Sequence, residues 1–143
     1  MKFLAALLLL VASSTTAADI SIRIENTWAR ATPPGSTVAA AYFSITAQQS
    51  DELIGIASSV AERVEMHAST MENGTMRMRP AATVALPART TVKFESGGLH
   101  AMLLGLKAPL LANTTIALTL RFRNAPARTI NVAVIAPGAE RAH

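Results

Sequence analysis

The sequence predicts an all-β fold, in which one domain forms a single antiparallel sandwich or barrel. The chain consists of short apolar segments with alternating periodicity, separated by turn residues. After the first eighteen residues, no segment shows a sustained apolar period of 3.6 residues, which an amphipathic helix would require. The dipeptide Asn73-Gly74 lies between two candidate strands and is the strongest hairpin signal in the chain.

The predicted strands follow one another at short intervals. Ile20, Ile22 and Ile24 alternate in the first strand, and Trp28 follows on the same parity. A turn or exposed loop is predicted at 32–36, which contains Pro33-Pro34-Gly35. The other strands are predicted at residues 38–46, 51–57, 60–68, 75–79, 90–94, 100–104, 114–122 and 129–134.

The amino terminus has the pattern of a secretory signal peptide. A positive start at Met1-Lys2 precedes an apolar run at 3–12 and a small, polar segment at 13–18. The run is about half the length that a bilayer span requires, so no stable membrane insertion is expected after cleavage. We therefore expect a signal peptide over 1–18, a β-domain over 19–136, a flexible tail over 137–143, and export to an oxidising compartment.

Composition excludes several classes of site and partner. The sequence contains no cysteine, which predicts neither a disulfide framework nor a thiolate ligand, and argues against a lipid anchor near the cleavage site. The formal net charge is +4, with the arginines scattered among acidic residues, and aromatic residues make up only 4% of the chain. Nucleic acid is therefore a poor candidate partner.

Candidate metal ligands concentrate in residues 66–102. Thioether sulfur is a soft ligand and imidazole a borderline one. A site of two thioethers and two imidazoles therefore suits monovalent copper better than zinc, iron or magnesium. The stretch contains five of the six methionines and two of the three histidines: Met66, Met71, Met76, Met78, Met102, His67 and His100. Each methionine taken singly is more typical of core packing, and it is the clustering with histidine that favours copper.

The predicted hairpin aligns several of these side chains. A two-residue turn at Asn73-Gly74 pairs Met71 with Met76, and side chains then alternate between the two faces. Met78 lies diagonal to His67 in this register, at about 7–8 Å between Cα atoms. The residues that share one face are His67, Met71, Met76 and Met78.

A second pair is aligned on a later strand. His100 and Met102 are two residues apart, so they point to one face. Gly97-Gly98 precedes them and would allow a sharp backbone turn at the start of that strand. Whether the two pairs meet in space is left open by the sequence.

The spacing of these residues resembles the signature of the periplasmic CuA copper chaperones, the PCuAC-like proteins. His67 is followed by ten residues and Met78, then by twenty-one residues and His100-Ala101-Met102, which is the pattern H-x10-M-x21-H-x-M. The resemblance extends over 28–35, 40–42, 64–67 and 97–107, and so covers most of the mature chain. Ser96 and Ala47 depart from residues that are common in the family, and neither is a ligand.

This resemblance implies a cupredoxin-like or immunoglobulin-like β-sandwich that binds one Cu(I) per chain through His67, Met78, His100 and Met102. It also implies that copper is delivered to a copper-accepting protein, either the CuA subunit of cytochrome oxidase or a second copper chaperone. Met71 and Met76 lie on the same face outside the signature, where packing, a hydrophobic shield or an occasional relay are the alternatives. His143 is either a weak Cu(II) ligand or part of the tail.

Other functions fit the residues less well. An electron-transfer cupredoxin needs a cysteine ligand, and a zinc hydrolase needs three histidine or carboxylate ligands with an open position. We therefore expect no enzymatic activity. A copper-sequestering resistance protein would use the same ligands as a chaperone, and an interaction module that binds no metal also stays open.

Overall fold

The computed structural model describes residues 21–139, which form ten β-strands and no helix. Within these residues, therefore, no helix occurs that is long and apolar enough to cross a membrane. The strands are β1 (Ile22–Arg30), β2 (Val38–Ala47), β3 (Asp51–Ala57), β4 (Ala61–Glu72), β5 (Thr75–Pro80), β6 (Val84–Leu86), β7 (Thr91–Phe94), β8 (Leu99–Leu106), β9 (Thr115–Phe122) and β10 (Arg128–Ile135).

The strands form one continuous sheet that closes on itself. The order is β5-β4-β8-β7-β2-β1-β10-β9-β3-β6, and β8 also pairs directly with β2. A further pairing between β3 and β4, at Ile56 and Val64, closes the series of strands that runs from β4 to β3 in this order. The result is a closed, barrel-like sheet with β5 and β6 as its edges.

The predicted all-β class is confirmed, with corrections to the strand arrangement. The sheet is not purely antiparallel, because β1 runs parallel to β10 and β7 parallel to β8. No hairpin connects β1 to β10, so no turn forces them to be antiparallel. Strand β6 was not predicted, since three residues are too few to show a period. The two-layer sandwich stays a prediction.

The core lies inside the closed sheet and fixes which face of each strand is outward. In β2 the inward residues are the odd-numbered ones, such as Phe43 and Ile45, which are 1% and 0% exposed. In β8 the inward residues are Ala101 and Leu103, both 0% exposed. Because side chains alternate along a strand, His100 and Met102 must lie on the outer face.

A bulge in β1 changes the face of the only tryptophan. Pairing with β2 shifts register between Glu25 and Trp28, and Asn26 has a positive φ of 53°. The extra residue reverses the alternation, so Trp28 pairs with Tyr42 on the outer face. The shared parity of Trp28 with Ile22 and Ile24 predicts the same face for all three residues, and this prediction is wrong for Trp28.

Some of the expectations fall outside the described residues. The signal peptide at 1–18, its cleavage site and the first residue of the alternation, Ile20, belong to the undescribed amino terminus. The end of the tail, with His143, belongs to the undescribed residues 140–143.

Candidate metal centre

The β4–β5 hairpin has the register predicted from its turn. Asn73 and Gly74 both have positive φ, 50° and 78°, as a type I′ turn requires. Met71 pairs with Met76, and Ser69 pairs with Met78. The pair that follows on the same face is His67 and Pro80. Met78 is therefore a diagonal neighbour of His67, as expected.

The methionines of this hairpin are exposed to solvent. Met71 is 65% exposed, Met76 is 53% exposed, and Met78 is 55% exposed. Met66, by contrast, is 5% exposed and packs in the core on the other face of β4. The sequence grouped these residues together, and the structure separates one core residue from three surface thioethers.

The pairing of β4 with β8 brings the two histidines together. His67 pairs with His100, and their ring centroids are 5.8 Å apart at an interplanar angle of 65°. Two residues along the same ladder, Glu65 pairs with Met102. These four side chains therefore share the outer face, and Met78 joins them from the neighbouring strand β5.

The orientation of the His100 ring is fixed by the loop before β8. His100 is 5% exposed, and its Nδ1 lies 3.0 Å from the carbonyl oxygen of Gly98. A carbonyl only accepts hydrogen bonds, so Nδ1 must carry the hydrogen and donate it. The lone pair is then on Nε2, which is buried and has no hydrogen-bond partner within residues 21–139.

The loop at 95–98 is held by its own backbone. Glu95 donates to the carbonyl of Leu99 and accepts from the amide of Gly98, while Gly97 adopts a φ of +82°. The carbonyl of Gly98 also accepts from the amide of Ser69 on β4, at 3.2 Å. The predicted sharp turn is present, and it aims one carbonyl at the imidazole of His100.

The ring of His67 is held by a carboxylate of its own strand. Its Nε2 lies 2.9 Å from Oε2 of Glu65. The hydrogen bond from His67, followed by that from Arg63, holds the pKa of Glu65 below its ordinary value, so this carboxylate is ionised and accepts. Nε2 of His67 is then the donor, which leaves the lone pair of the neutral ring on Nδ1.

A row of aromatic and imidazole side chains crosses the outer face. Continuing the β2–β8 register by one pair places Tyr42 opposite His100, so one row runs Trp28, Tyr42, His100, His67. The rings of Trp28 and Tyr42 are 4.4 Å apart and both residues are buried. A groove of about 270 Å³ lies beside Met102 and is also lined by Ala40 and Tyr42.

The arrangement offers two imidazole nitrogens and two thioethers on one face. No three His, Cys, Asp or Glu side chains come together as a metal site among the described residues, and zinc sites are usually built from such side chains. The four residues fit a soft monovalent ion better. Glu65 had no role in the sequence-based prediction, because its hydrogen bond depends on the ring orientation of His67.

Comparison with known proteins identifies the family of this chain. Residues 22–134 match the family described as "Putative lipoprotein LpqE-like". A relative from Leifsonia xyli subsp. xyli (strain CTCB07), "Putative lipoprotein Lxx21020", is 32% identical over 114 residues, which are 79% of this chain and 69% of that protein.

Solved structures with the same fold carry PCuAC domains or bind Cu(I). The copper-bound PCuAC domain from PmoF2 is 29% identical with a TM-score of 0.69, covering 82% of this chain and 96% of that chain. The CuI-DR1885 solution structure from Deinococcus radiodurans is 30% identical with a TM-score of 0.55, covering 90% of this chain and 85% of that chain. The chain therefore belongs to the LpqE-like family, and its structural neighbours are PCuAC domains.

Proposed function

We propose that this protein is a periplasmic Cu(I)-binding metallochaperone that binds one Cu(I) through His67, Met78, His100 and Met102. Two observations support the proposal: the donor set on the outer face, and the copper-bound state of similar solved structures. All four ligands are neutral, so the ion keeps its positive charge at the surface. The acceptor we propose is the CuA subunit of cytochrome oxidase or a second copper chaperone.

The observation that carries this proposal is the unpartnered nitrogen of His100. A buried polar atom without a hydrogen bond costs about 1–3 kcal/mol, so native proteins rarely contain one without a reason. Among the described residues, Nε2 of His100 is such an atom, and His100 lies on the face that also holds His67 and Met102. A metal ion bound there would satisfy it.

Delivery is favoured over sequestration by the exposure of one ligand. Met78 is 55% exposed on an edge strand, so a ligand from another protein can reach copper beside it. A sequestering protein gains from burying every ligand. A transfer assay separates the two: a chaperone gives its Cu(I) to an apo CuA domain within minutes, whereas a sequestering protein retains it.

The metal site is tested by competition titration of the reduced protein. We expect one Cu(I) per chain and a strong preference over Zn(II), because zinc gains little from neutral sulfur. Met78→Ala and Met102→Ala should each weaken Cu(I) binding about tenfold or more, equivalent to at least about 1.4 kcal/mol. Both should keep the fold, since neither side chain belongs to the core.

Met71→Ala is the matched control for these variants, because it removes an exposed thioether from the same hairpin face. Its equilibrium affinity should stay near that of the natural protein. A loss as large as that of Met78→Ala would show that the ligands are assigned wrongly. Zinc binding as tightly as Cu(I) would overturn the choice of metal.

A further inference from the structure

We propose that Met71 and Met76, together with Met78, form a low-affinity entry site that captures Cu(I) and passes it to the four-residue centre. This inference rests on the proposed function, since it needs a copper centre to load. Its subject is a different set of atoms, the three thioethers that the β4–β5 hairpin presents to solvent.

The hairpin register places these thioethers within reach of one ion. Met71 and Met76 are directly opposite each other, so their Cβ atoms are about 4.5–5.5 Å apart. Met78 follows Met76 by two residues on the same face, at about 7 Å along the strand. Long, flexible side chains at these positions can converge on a single metal ion.

Burial argues against a packing role for this pair. Methionine in a core is buried, as Met66 is at 5% exposure, whereas Met71 and Met76 are 65% and 53% exposed. Neither belongs to the core cluster or packs against it. The stability that burial of an apolar side chain provides is largely absent here, so packing alone does not explain two methionines opposite each other.

The two faces of the hairpin are chemically segregated. The thioethers occupy one face, and the opposite face carries Glu72 with its two arginine partners. Arg77 Nε and Arg79 Nη2 both lie 3.2 Å from carboxylate oxygens of Glu72. Both arginines are thus held by Glu72 on the far side, and the hairpin face that leads to the four-residue centre is uncharged and sulfur-rich.

Neutral thioethers suit capture followed by release. They select soft Cu(I), and they need no deprotonation to bind it. Met78 belongs to both sites, so copper can keep this bond while the bonds to Met71 and Met76 sulfur break. Bonds to the nitrogens of His67 and His100 and to the sulfur of Met102 form in their place. Copper stays Cu(I) throughout, so no electron is transferred. A neutral imidazole already presents a lone pair, so neutral His67 and His100 bind the ion without releasing a proton.

The double variant Met71→Leu/Met76→Leu tests the proposal, since leucine keeps the apolar volume and removes the sulfur. Cu(I) is supplied as its bicinchoninate complex, and stopped-flow absorbance follows loading. We expect the loading rate to fall about tenfold, within the one to three decades over which association rates of related variants vary. The equilibrium affinity of the four-residue centre should change less than about twofold.

Two further variants keep this result specific. Met71→Ala/Met76→Ala should load as slowly as the leucine variant, because both lack sulfur. Leu111→Ala removes an exposed apolar side chain from a loop outside the hairpin and should load at the natural rate. If the leucine variant loads normally, the entry site is wrong. If the alanine variant is then slow, the pair acts through its apolar volume and not through sulfur.

Binding at the entry site is observed directly in His67→Ala/His100→Ala, which lacks the nitrogen ligands. Added Cu(I) should shift the ¹³C-methyl resonances of Met71, Met76 and Met78 in this variant. Unmoved Met71 and Met76 resonances would overturn the entry site. If these resonances do not move but the natural protein binds Cu(I) tightly, only the entry site is wrong and the proposed function stands. If the natural protein binds no Cu(I), the proposed function itself is wrong.

Discussion

His67 and His100 are opposite each other in the sheet, yet they present different nitrogens to the same face. His100 donates from Nδ1 to a backbone carbonyl, which leaves the lone pair on Nε2. His67 donates from Nε2 to Glu65, which leaves the lone pair on Nδ1. Partners of this kind fix the tautomer and ring orientation of metal-binding histidines and raise their basicity.

Glu65→Ala should therefore weaken Cu(I) binding by about tenfold to a hundredfold, the range for loss of a carboxylate that orients a metal-binding histidine. It should also change the tautomer of His67, because the acceptor for Nε2–H is lost. Long-range ¹H–¹⁵N NMR of the apo protein measures the tautomer, and competition titration measures the affinity.

Arg63→Ala is the control for this prediction. Arg63 contacts the same carboxylate through its Nε, at 3.0 Å from Oε1, and it is exposed. Its loss should leave the His67 tautomer unchanged and alter affinity only slightly, since exposed ion pairs contribute little. An unchanged His67 tautomer in Glu65→Ala would contradict the orienting role of this carboxylate.

Asp51 is a buried carboxylate that lies outside the proposed metal site. Burial alone would raise its pKa, but the amides of Glu52, Ala125 and Asn124 donate to it and hold the pKa below its ordinary value. Asp51→Asn replaces an acceptor oxygen by a donor facing these amides. We expect a loss of about 1–3 kcal/mol in the free energy of unfolding.

The pH dependence of that loss has a defined sign. Asp51 has a lower pKa in the folded state than in the unfolded chain, where it is about 3.9. Its stabilisation is therefore fully present above this value and disappears as the pH falls through the folded pKa. Denaturant titrations should show a constant gap between Asp51→Asn and the natural protein near neutral pH. A gap that widened below pH 4 would contradict this.

At the scale of elements, the β4–β5 hairpin decides where Met78 lies. Gly74 occupies the left-handed region with a φ of +78°, and no heavy atom lies within 4 Å of a Cβ built there. Gly74→Ala would therefore introduce backbone strain without a clash, at a cost of about 1–2 kcal/mol. We expect weaker Cu(I) binding in addition to lower thermal stability, because the strained turn displaces the hairpin register.

Gly35→Ala is the matched control for the hairpin. Gly35 has a φ of +82° and equally open surroundings, but it lies in the loop between β1 and β2. The two variants should lose similar stability, measured by thermal denaturation, and only Gly74→Ala should lose copper affinity. Equal affinities would mean that the turn does not control the position of Met78.

The hairpin was predictable from sequence because its cause is local. Asn73-Gly74 accepts the positive φ values of a tight turn, and the turn sets every pair out to Ser69 and Met78. The pairing of His67 with His100 has no such cause. It joins two residues that are 33 positions apart in the chain, and it depends on how β4 and β8 lie side by side in the closed sheet.

At the scale of the whole molecule, the closed sheet and its edge should differ in local stability. Strands β9 and β10 contain residues that are 0% exposed, such as Leu118, Leu120 and Val132. In β5 all six residues are exposed. Hydrogen exchange should therefore be slowest in β9 and β10 and fastest in β5, because exchange follows local opening.

Copper should slow exchange in β5 if Met78 is a ligand, since binding opposes the opening of the strand that carries it. Hydrogen-exchange mass spectrometry with and without Cu(I) measures this. The peptide that covers β9 serves as the internal control and should not change. Equal protection of β5 and β9 in the apo protein would contradict the expected difference in stability.

Closure of the sheet could not be read from the sequence. Alternation predicts that strands exist and which residues share a face, but the bulge at Asn26 reverses the face of Trp28 within one strand. Strands β1 and β10 pair in parallel although they are the first and last strands of the described residues, and no short-range signal marks this pairing. Such contacts follow from burying a common core.

Strand β5 is also an open sheet edge, and that has a consequence for the protein at high concentration. An exposed edge presents unpaired backbone groups, which invite pairing with the edge of another molecule. Here the edge carries Arg77 and Arg79 and ends at Pro80, which has no amide hydrogen. These are residues with which natural sheets resist such pairing. The strand that carries the proposed ligand Met78 is thereby protected against aggregation.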